Sequence, residues 1–440
     1  MKKVVKFGGS SLADATQFKK VAAIIKEDPA RMYVVPSAPG KRFSGDDKVT
    51  DLLYRCYDKA VAGEDFRPTL NIIRGRYDDI IVGLGLKNFT LEPDFAELEK
   101  SLAENPERDF TASRGEYLNG KIMAEYIGYE FIDAADVVVF DEDGGLSLRR
   151  TNKAMTQRLQ NVERAVIPGF FGRDVEGHIK TFSRGGSDIT GSIVAGAMKV
   201  DVYENWTDVS GFLVADPRII EDPVAINTIT YRELRELSYM GAAVLHEDAI
   251  FPVRKSGIPI NIRNTNRPED KGTWIVESTA QKSGYVITGI AGKKGFCSVT
   301  IEKAMMNAEI GFGRRVLEVF EDLGLSFEHM PSGIDTMTVF IHQDEFVAHE
   351  QQVISYLHRA VHPDSIELES DIALIAVVGR GMKAARGTAG RIFSALAHAR
   401  VNVKMIDQGS SELNIIIGVR NEDFEAAVRA IYDIFITASI

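Results

Sequence analysis

Two stretches in the last third of the chain repeat each other, and nothing else constrains the fold as tightly. Val316-Leu-Glu-Val-Phe-Glu-Asp-Leu-Gly-Leu-Ser-Phe-Glu-His-Met330 matches Ile392-Phe-Ser-Ala-Leu-Ala-His-Ala-Arg-Val-Asn-Val-Lys-Met-Ile406 at its apolar positions. The register continues without a gap into Thr338–Ile341 and Asn414–Ile417, both apolar enough for strands. Each copy therefore reads as helix, strand, polar turn and strand, with a second helix following at Glu345–Arg359 and at Glu422–Phe435. A unit this small cannot bury both of its faces, so the copies must pair with each other or with another chain.

Residues 1–280 read differently, as short strands alternating with helices, which implies a largely parallel sheet covered on both faces. Val4–Phe7 is an apolar strand, Gly8-Gly9-Ser10-Ser11 follows, and Asp14–Ile25 carries Phe18, Val21, Ala22 and Ile25 on one helical face. A strand, a glycine turn and a helix make a phosphate cradle. The Walker A order is absent, and the lysine precedes the glycines, at Lys6. Met32–Val35 is a second strand, the polar segment Lys41–Lys48 reads as a mobile loop, and Thr50 opens the helix Asp51–Ala62. Ser113-Arg-Gly-Glu116 stands before a helix expected over Tyr117–Ile127, with Glu116 as a first-turn acid. Strands are expected at Val137–Phe140 and Ala165–Pro168.

In Arg184-Gly-Gly-Ser-Asp188 the glycines allow close ligand approach, and Ser187 and Asp188 are good caps for a helix over Ile189–Met198. Such a helix start suits an anion. A strand is expected at Val200–Glu204, with Thr207 and Asp208 just past its end, where open α/β sheets bind ligands. Arg232–Leu245 reads as a helix, Ile258–Ile262 as a strand and Glu277–Gly284 as a linker.

Composition narrows the function classes. A net charge of −11 speaks against nucleic acid or an anionic membrane as partner. Hydrophobic content of 45% and charged content of 26% fit a soluble globular protein of several domains. Cys56 and Cys297 are the only cysteines, too few and too far apart for a disulfide framework or a metal site. No run approaches the ~18 apolar residues of a membrane span, and the start has no apolar signal core, so a cytoplasmic location is expected.

Lys6-Phe-Gly-Gly-Ser-Ser, Ser113-Arg-Gly-Glu116, Arg184-Gly-Gly-Ser-Asp188 and Thr207-Asp-Val-Ser-Gly-Phe-Leu-Val-Ala-Asp-Pro-Arg218, in this order, closely resemble aspartate kinase. The repeats are similar to its paired ACT domains, and the resemblance covers nearly the whole chain. It implies an α/β fold: a three-layer αβα amino-acid-kinase domain with a mainly parallel sheet over 1–280, followed by two α+β ferredoxin-like ACT domains. The first of these would span 299–366 and the second 284–298 with 370–440.

The activity implied is transfer of the ATP γ-phosphoryl group, with Mg²⁺ carried on the nucleotide, to the β-carboxylate of L-aspartate. A carboxylate is already ionised at neutral pH, so the site needs charge neutralisation and positioning rather than a base. Lys6 would lie over the phosphoryl group with Asp188 orienting it, and Gly8, Gly9 and Ser10 would supply donors. Ser37, Thr50, Glu116, Arg184, Gly185 and Ser187 match the substrate side, Arg184 for the α-carboxylate and Glu116 for the ammonium. Thr207, Asp208, Phe212, Asp216 and Arg218 match the nucleotide side. Three departures stand out: Ser10 where threonine is common, Leu213 where some relatives have tyrosine, and Gly241-Ala-Ala-Val-Leu-His-Glu247, which has Ala243 for a lysine and Glu247 for a proline.

Regulation is expected at Met305–Gly313 and Glu328–Asp335 of the first repeat. Gly311 and Gly313 leave room for a carboxylate at a helix start, and Glu309, Glu328 and Asp335 offer acids for ammonium groups. Met306, Ser332 and Ile334 complete that effector site, with lysine, alone or together with threonine, as the inhibitor. The second repeat, with Lys404, Asp407 and Gln408 at its matching turn, is assigned to pairing in a homodimer or a higher assembly. Two other readings use the same motifs: a kinase of this fold acting on a different acid, and a catalytically inactive amino-acid sensor. Ala243 favours the sensor, whereas Lys6, Arg184 and Asp188 speak against it.

Overall fold

The computed structural model of the chain describes residues 1–183, 185–242, 245, 251–279 and 284–439. They form two compact units: Met1–Phe212 with Asn227–Tyr231 and Val244–Thr279, and Leu213–Ile226 with Arg232–Ala243 and Ala280–Ile440.

The first unit follows the expected alternation. It runs β1 (Lys3–Phe7), α1 (Ala15–Glu27), β2 (Arg31–Pro36), α2 (Val49–Val61), α3 (Arg67–Leu84), α4 (Glu92–Glu104), α5 (Arg108–Ile127), β3 (Glu130–Phe131), α6 (Ala134–Val137), α7 (Leu148–Arg158) and β4 (Ala165–Val166). After these come β5 (Phe171–Arg173), β6 (Ile179–Thr181), α8 (Gly186–Met198), β7 (Val202–Thr207), β8 (Thr228–Thr230), α9 (Tyr231–Tyr239, mostly in the second unit), α10 (Phe251–Lys255), β9 (Ile260–Asn264) and β10 (Thr273–Val276). Eight strands make one sheet in the order β3-β4-β2-β1-β7-β9-β10-β8, parallel except where β10 meets β9.

Side-chain alternation along β1 dresses the two sheet faces differently. Val5 and Phe7 point into a core with Trp206 and the apolar faces of α1 to α5. Val4 and Lys6 point the other way, where α8 packs close enough that a Cβ on Gly191 would lie 2.6 Å from the Tyr203 hydroxyl. The three central strands β1, β2 and β7 end together at Phe7, Pro36 and Thr207.

Several local expectations are corrected. Ser113–Glu116 does not precede a helix but lies in the middle of the 20-residue α5, so Glu116 is an interior, buried residue and not a first-turn acid. Gly115 serves close packing inside the helix: a Cβ there would come 2.9 Å from that of Ala38. Ser187 and Asp188 are not the caps of α8 either, because Gly185 takes that position in the left-handed region at φ 59° and places both in the first turn. Asp133 caps a short α6 by accepting the Ala135 N–H at 2.9 Å, leaving Val139 and Phe140 only isolated bridges. The β5–β6 hairpin was not expected, and β7 lies two to three residues later than expected, so Thr207 is its last residue.

The second unit holds β11 (Gly289–Glu302), α11 (Phe312–Asp322), β12 (Thr336–His342), α12 (Gln343–Val347), α13 (Glu350–Val361), β13 (Ser365–Val378), α14 (Thr388–His398), β14 (Met405–Asp407), β15 (Asn414–Arg420) and α15 (Phe424–Phe435). Its antiparallel sheet has the order β12-β11-β13-β15-β14, with the two 14-residue strands paired along their length. One half of each long strand thus serves each repeat. The copies differ where the sequence pattern matched them: β14 forms in the second, but 325–330 of the first makes only an isolated bridge from His329 to Phe340. Pro331 has no N–H with which to extend that ladder. No helix among the described residues is long and apolar enough to cross a membrane.

Candidate active site

The carboxyl ends of β1, β2 and β7 bring most of the motif residues of the first unit to one place. Lys6 points out of the sheet toward α8, and its Nζ lies 2.5 Å from Asp188 Oδ1. The same oxygen accepts a hydrogen bond from Asn205 Nδ2 at 2.8 Å, and Asn205 is the register partner of Lys6 on β7. The carboxylate is thereby fixed between a cation and an amide. Asn205 is a contributor that sequence reading missed; it stands next to Glu204, also buried, and an amide beside an acid within a short strand is a weak signal.

The glycine turn is built by close approach of two backbones. Gly8 N–H donates to Trp206 O at 3.0 Å, and Gly40 N–H donates to Gly9 O at 2.8 Å. A Cβ on Gly9 would lie 2.9 Å from Ala38 O, and one on Gly40 would lie 2.6 Å from Gly9 C, so neither position has room for a side chain. Ser10 follows on the surface in a turn of 3₁₀ helix, Gly9–Leu12, and Ser11 is buried with its hydroxyl 2.8 Å from that of Thr265. Ser37 N–H donates to Phe7 O at 3.1 Å, and its carbonyl accepts from Asn119 Nδ2 at 2.6 Å. Thr50 lies in the first turn of α2, facing Gly115 on α5.

Glu116 sits between these groups. It is 5% exposed, and its Oε2 has no hydrogen-bond partner. Burial pushes its pKa up to about 8, against the opposing pull of the Ala38 N–H, the charge of Lys6 and the Ser187 hydroxyl. A carboxylate buried with an open acceptor, beside a cation and a glycine turn, is equipped to receive the ammonium group of a small ligand.

The remaining expected residues are placed less tightly. Thr207 donates its hydroxyl to Asp208 at 3.2 Å on the surface, and Phe212 is buried with its N–H on Thr273 Oγ1 at 2.8 Å. Asp216 and Arg218 belong to the second unit, paired with each other at 2.6 Å in an exposed turn, and Leu213 belongs to it too. Arg184, Ala243 and Glu247 lie outside the described residues.

In the first repeat, Gly311 precedes α11 in the left-handed region at φ 81°, Gly313 is the second residue of that helix, and Met306 is buried in the core beneath. The three acids are each engaged within the unit. Glu309 pairs with Lys303 at 2.6 Å and with Arg315, Asp335 accepts the Met305 N–H at 2.9 Å, and Glu328 lies 3.3 Å from His342 Nε2. Ile334 is exposed. Ser332 lines a cavity of about 320 Å³ on the sheet face opposite α11 and α13, together with Ser298, Thr300, Thr338 and the ion-paired Glu369 and Lys404.

Comparison with known proteins identifies the family. The model of the amino acid kinase family matches residues 1–264, and that of an ACT domain matches 375–435. Aspartokinase 3 of Bacillus subtilis is 42% identical over 447 residues, covering 98% of this chain and 98% of its own length. The crystal structure of Clostridium acetobutylicum aspartate kinase superposes with a TM-score of 0.91 at 49% identity, over 99% of this chain and 100% of the other. Aspartokinase III of E. coli, in complex with aspartate and ADP, shares the fold at 23% identity and a TM-score of 0.75, over 99% of both chains.

Proposed function

The chain belongs to the aspartokinases of the amino acid kinase family, and from that premise we propose that it transfers the γ-phosphoryl group of ATP to the β-carboxylate of L-aspartate, giving 4-phospho-L-aspartate. The observation that carries this reading is the Lys6–Asp188 pair at 2.5 Å, set at the mouth of the glycine turn beside the buried, half-satisfied Glu116.

In this reading the acceptor carboxylate attacks without a general base, since it is ionised at neutral pH. Lys6 neutralises charge on the transferring phosphoryl group, Asp188 holds the Lys6 ammonium over it, and Asn205 holds Asp188. Gly8, Gly9 and Ser10 offer donors at close range. Glu116 takes the aspartate ammonium, with Ser37, Thr50, Gly185 and Ser187 around it, and Arg184 takes the α-carboxylate in a bidentate grip. Thr207, Asp208, Phe212, Asp216 and Arg218 serve the nucleotide, and Mg²⁺ enters on the ATP phosphates. Residues 1–280 form the catalytic domain, and 299–366 and 284–298 with 370–440 form the two ACT domains. These pair in a homodimer and bind lysine, alone or together with threonine, as feedback inhibitor. The enzyme works in the cytoplasm, where its substrates are.

The test is ADP formation by the purified protein with ATP, Mg²⁺ and single acids, with hydroxylamine present to trap an acyl phosphate as its hydroxamate. L-Aspartate alone should give both products. ADP and hydroxamate with another acid instead would name a different kinase of this fold, and no turnover with any acid would leave the inactive sensor.

A further inference from the structure

Arg76, on α3, belongs to no motif, yet it is 4% exposed and spends its guanidinium on backbone around the glycine turn. Nη2 donates to Gly40 O at 2.6 Å and to Ala13 O at 3.5 Å, and Nη1 donates to Asp47 O at 2.6 Å with the Asp46 carboxylate 3.6 Å away. These acceptors come from two separate connections, the turn before α1 and both ends of the segment between β2 and α2. Gly40 is the residue whose N–H is bonded to Gly9 O and whose backbone leaves no room for a Cβ against Gly9. One side chain therefore ties the back of the glycine turn to the segment it packs on. The polar stretch Lys41–Lys48, expected as a mobile loop, is tied down at its far end by the same group.

We propose that Arg76 is a positioning residue for phosphoryl transfer, setting the Gly8–Gly9 turn at the depth where its donors meet the phosphates; this rests on the assignment of that turn under Proposed function. The chemistry fits the role. A guanidinium presents several donors in a fixed plane and stays charged when buried, so it can hold several carbonyls at once. Lysine offers no such plane. Tyr77, the next residue, sends its hydroxyl to Gly115 O at 2.7 Å and so anchors the opposite wall beside Glu116, which leaves the aspartate side held independently of Arg76.

The experiment compares full-length Arg76→Gln and Arg76→Lys with wild type in steady-state kinetics for both substrates, together with thermal melting and ADP affinity. Ile73→Val, a core substitution on the same helix, supplies a loss of stability without any change at the turn. Expected for Arg76→Gln is a kcat lower by at least ~10-fold, the scale of one lost charge-assisted hydrogen bond, with KM for aspartate within about twofold. Arg76→Lys should lie between, because an ammonium can reach one carbonyl. Ile73→Val should lose stability and keep kcat. A folded Arg76→Gln with wild-type kcat overturns the proposal, as does a fall in kcat that tracks melting temperature equally in Ile73→Val. Should Arg76→Gln fail to fold, wild-type kcat in Arg76→Lys overturns it equally. Failure of the kinase assignment looks different: wild type itself would then lack aspartate-dependent ADP formation.

Discussion

If Glu116 takes the aspartate ammonium as proposed, raising the pH from 6 to 8 should tighten aspartate binding, because the carboxyl must be ionised to form that pair. Its pKa is pushed up to about 8 by burial, so the site below that pH is mostly protonated and binding must expel a proton. With an intrinsic constant reduced by the ionised fraction, the apparent constant is weakened about 100-fold at pH 6, about 10-fold at pH 7 and about twofold at pH 8. At saturating ATP, kcat/KM for aspartate should therefore rise close to tenfold per unit from pH 6 to 7 and level off above 8, while the substrate carboxylates stay ionised throughout. Titration calorimetry in two buffers of different ionisation enthalpy should show nearly one proton released at pH 6.5. The same group affects stability. Its folded pKa lies above the ordinary 4.5, so the folded state binds more protons between 4.5 and 8, and its contribution declines as pH rises through that window. The decline is about 1.4 kcal/mol per unit, with an upper bound on the order of 5 kcal/mol. Glu116→Gln should remove the slope from both profiles, bind aspartate weakly at every pH, and melt higher than wild type at pH 8. A flat aspartate profile in wild type between pH 6 and 8, with no proton released, refutes the reasoning.

Lys6→Ala should lower kcat by about a hundredfold, or about 3 kcal/mol, with the protein still folded; a cation needed as charge shifts acts on kcat more than on KM. It should also move the Glu116 pH profile upward, since the Lys6 charge now opposes that protonation. Asn205→Ala frees Asp188 to turn away from Lys6 and should reduce kcat by about 10-fold, as expected of a hydrogen bond to a charged group, leaving KM for ATP unchanged in the same assay. Lysine and threonine, titrated singly and together, should inhibit wild type and lose potency against a Glu328→Ala, Asp335→Ala double variant; unchanged inhibition there removes the proposed effector site.

Much of this was legible because the chemistry is contiguous in sequence. Lys6 with Gly8 and Gly9, and Gly185 with Ser187 and Asp188, are short runs in which charge and missing side chains stand together, and both runs land at the carboxyl edge of the sheet. The sequence pattern places the helix start too late, after Glu116, where a glycine's purpose is long-range. Gly115 lies inside α5 because Ala38 sits against it, and no local pattern distinguishes that from a helix break. The same limit hid Asn119 and Arg76, whose partners are carbonyls 82 and 36 residues distant in the chain. Any residue type supplies a carbonyl, so nothing in the partner's identity marks the contact.

That asymmetry bears on how the site holds its geometry. Of the groups that meet the ligand in this reading, Gly8, Gly9 and Ser37 are carried on turns at the ends of β1 and β2, where backbone has little intrinsic stiffness. Their fixity comes from side chains on the surrounding helices, Asn119 on the Ser37 carbonyl and Arg76 on Gly40, while Tyr77 holds Gly115 inside α5 beside Glu116. All three reach backbone oxygen rather than another side chain. A change of side chain on the turn therefore leaves these ties in place, whereas a change on the helix releases a whole segment. Substitutions in α3 and α5 that keep the helix but delete one of these donors should thus impair turnover more than their distance from the reacting atoms suggests. Exposed substitutions on the turn itself, such as Ser10→Thr, keep both the hydroxyl and the ties and should leave turnover close to wild type.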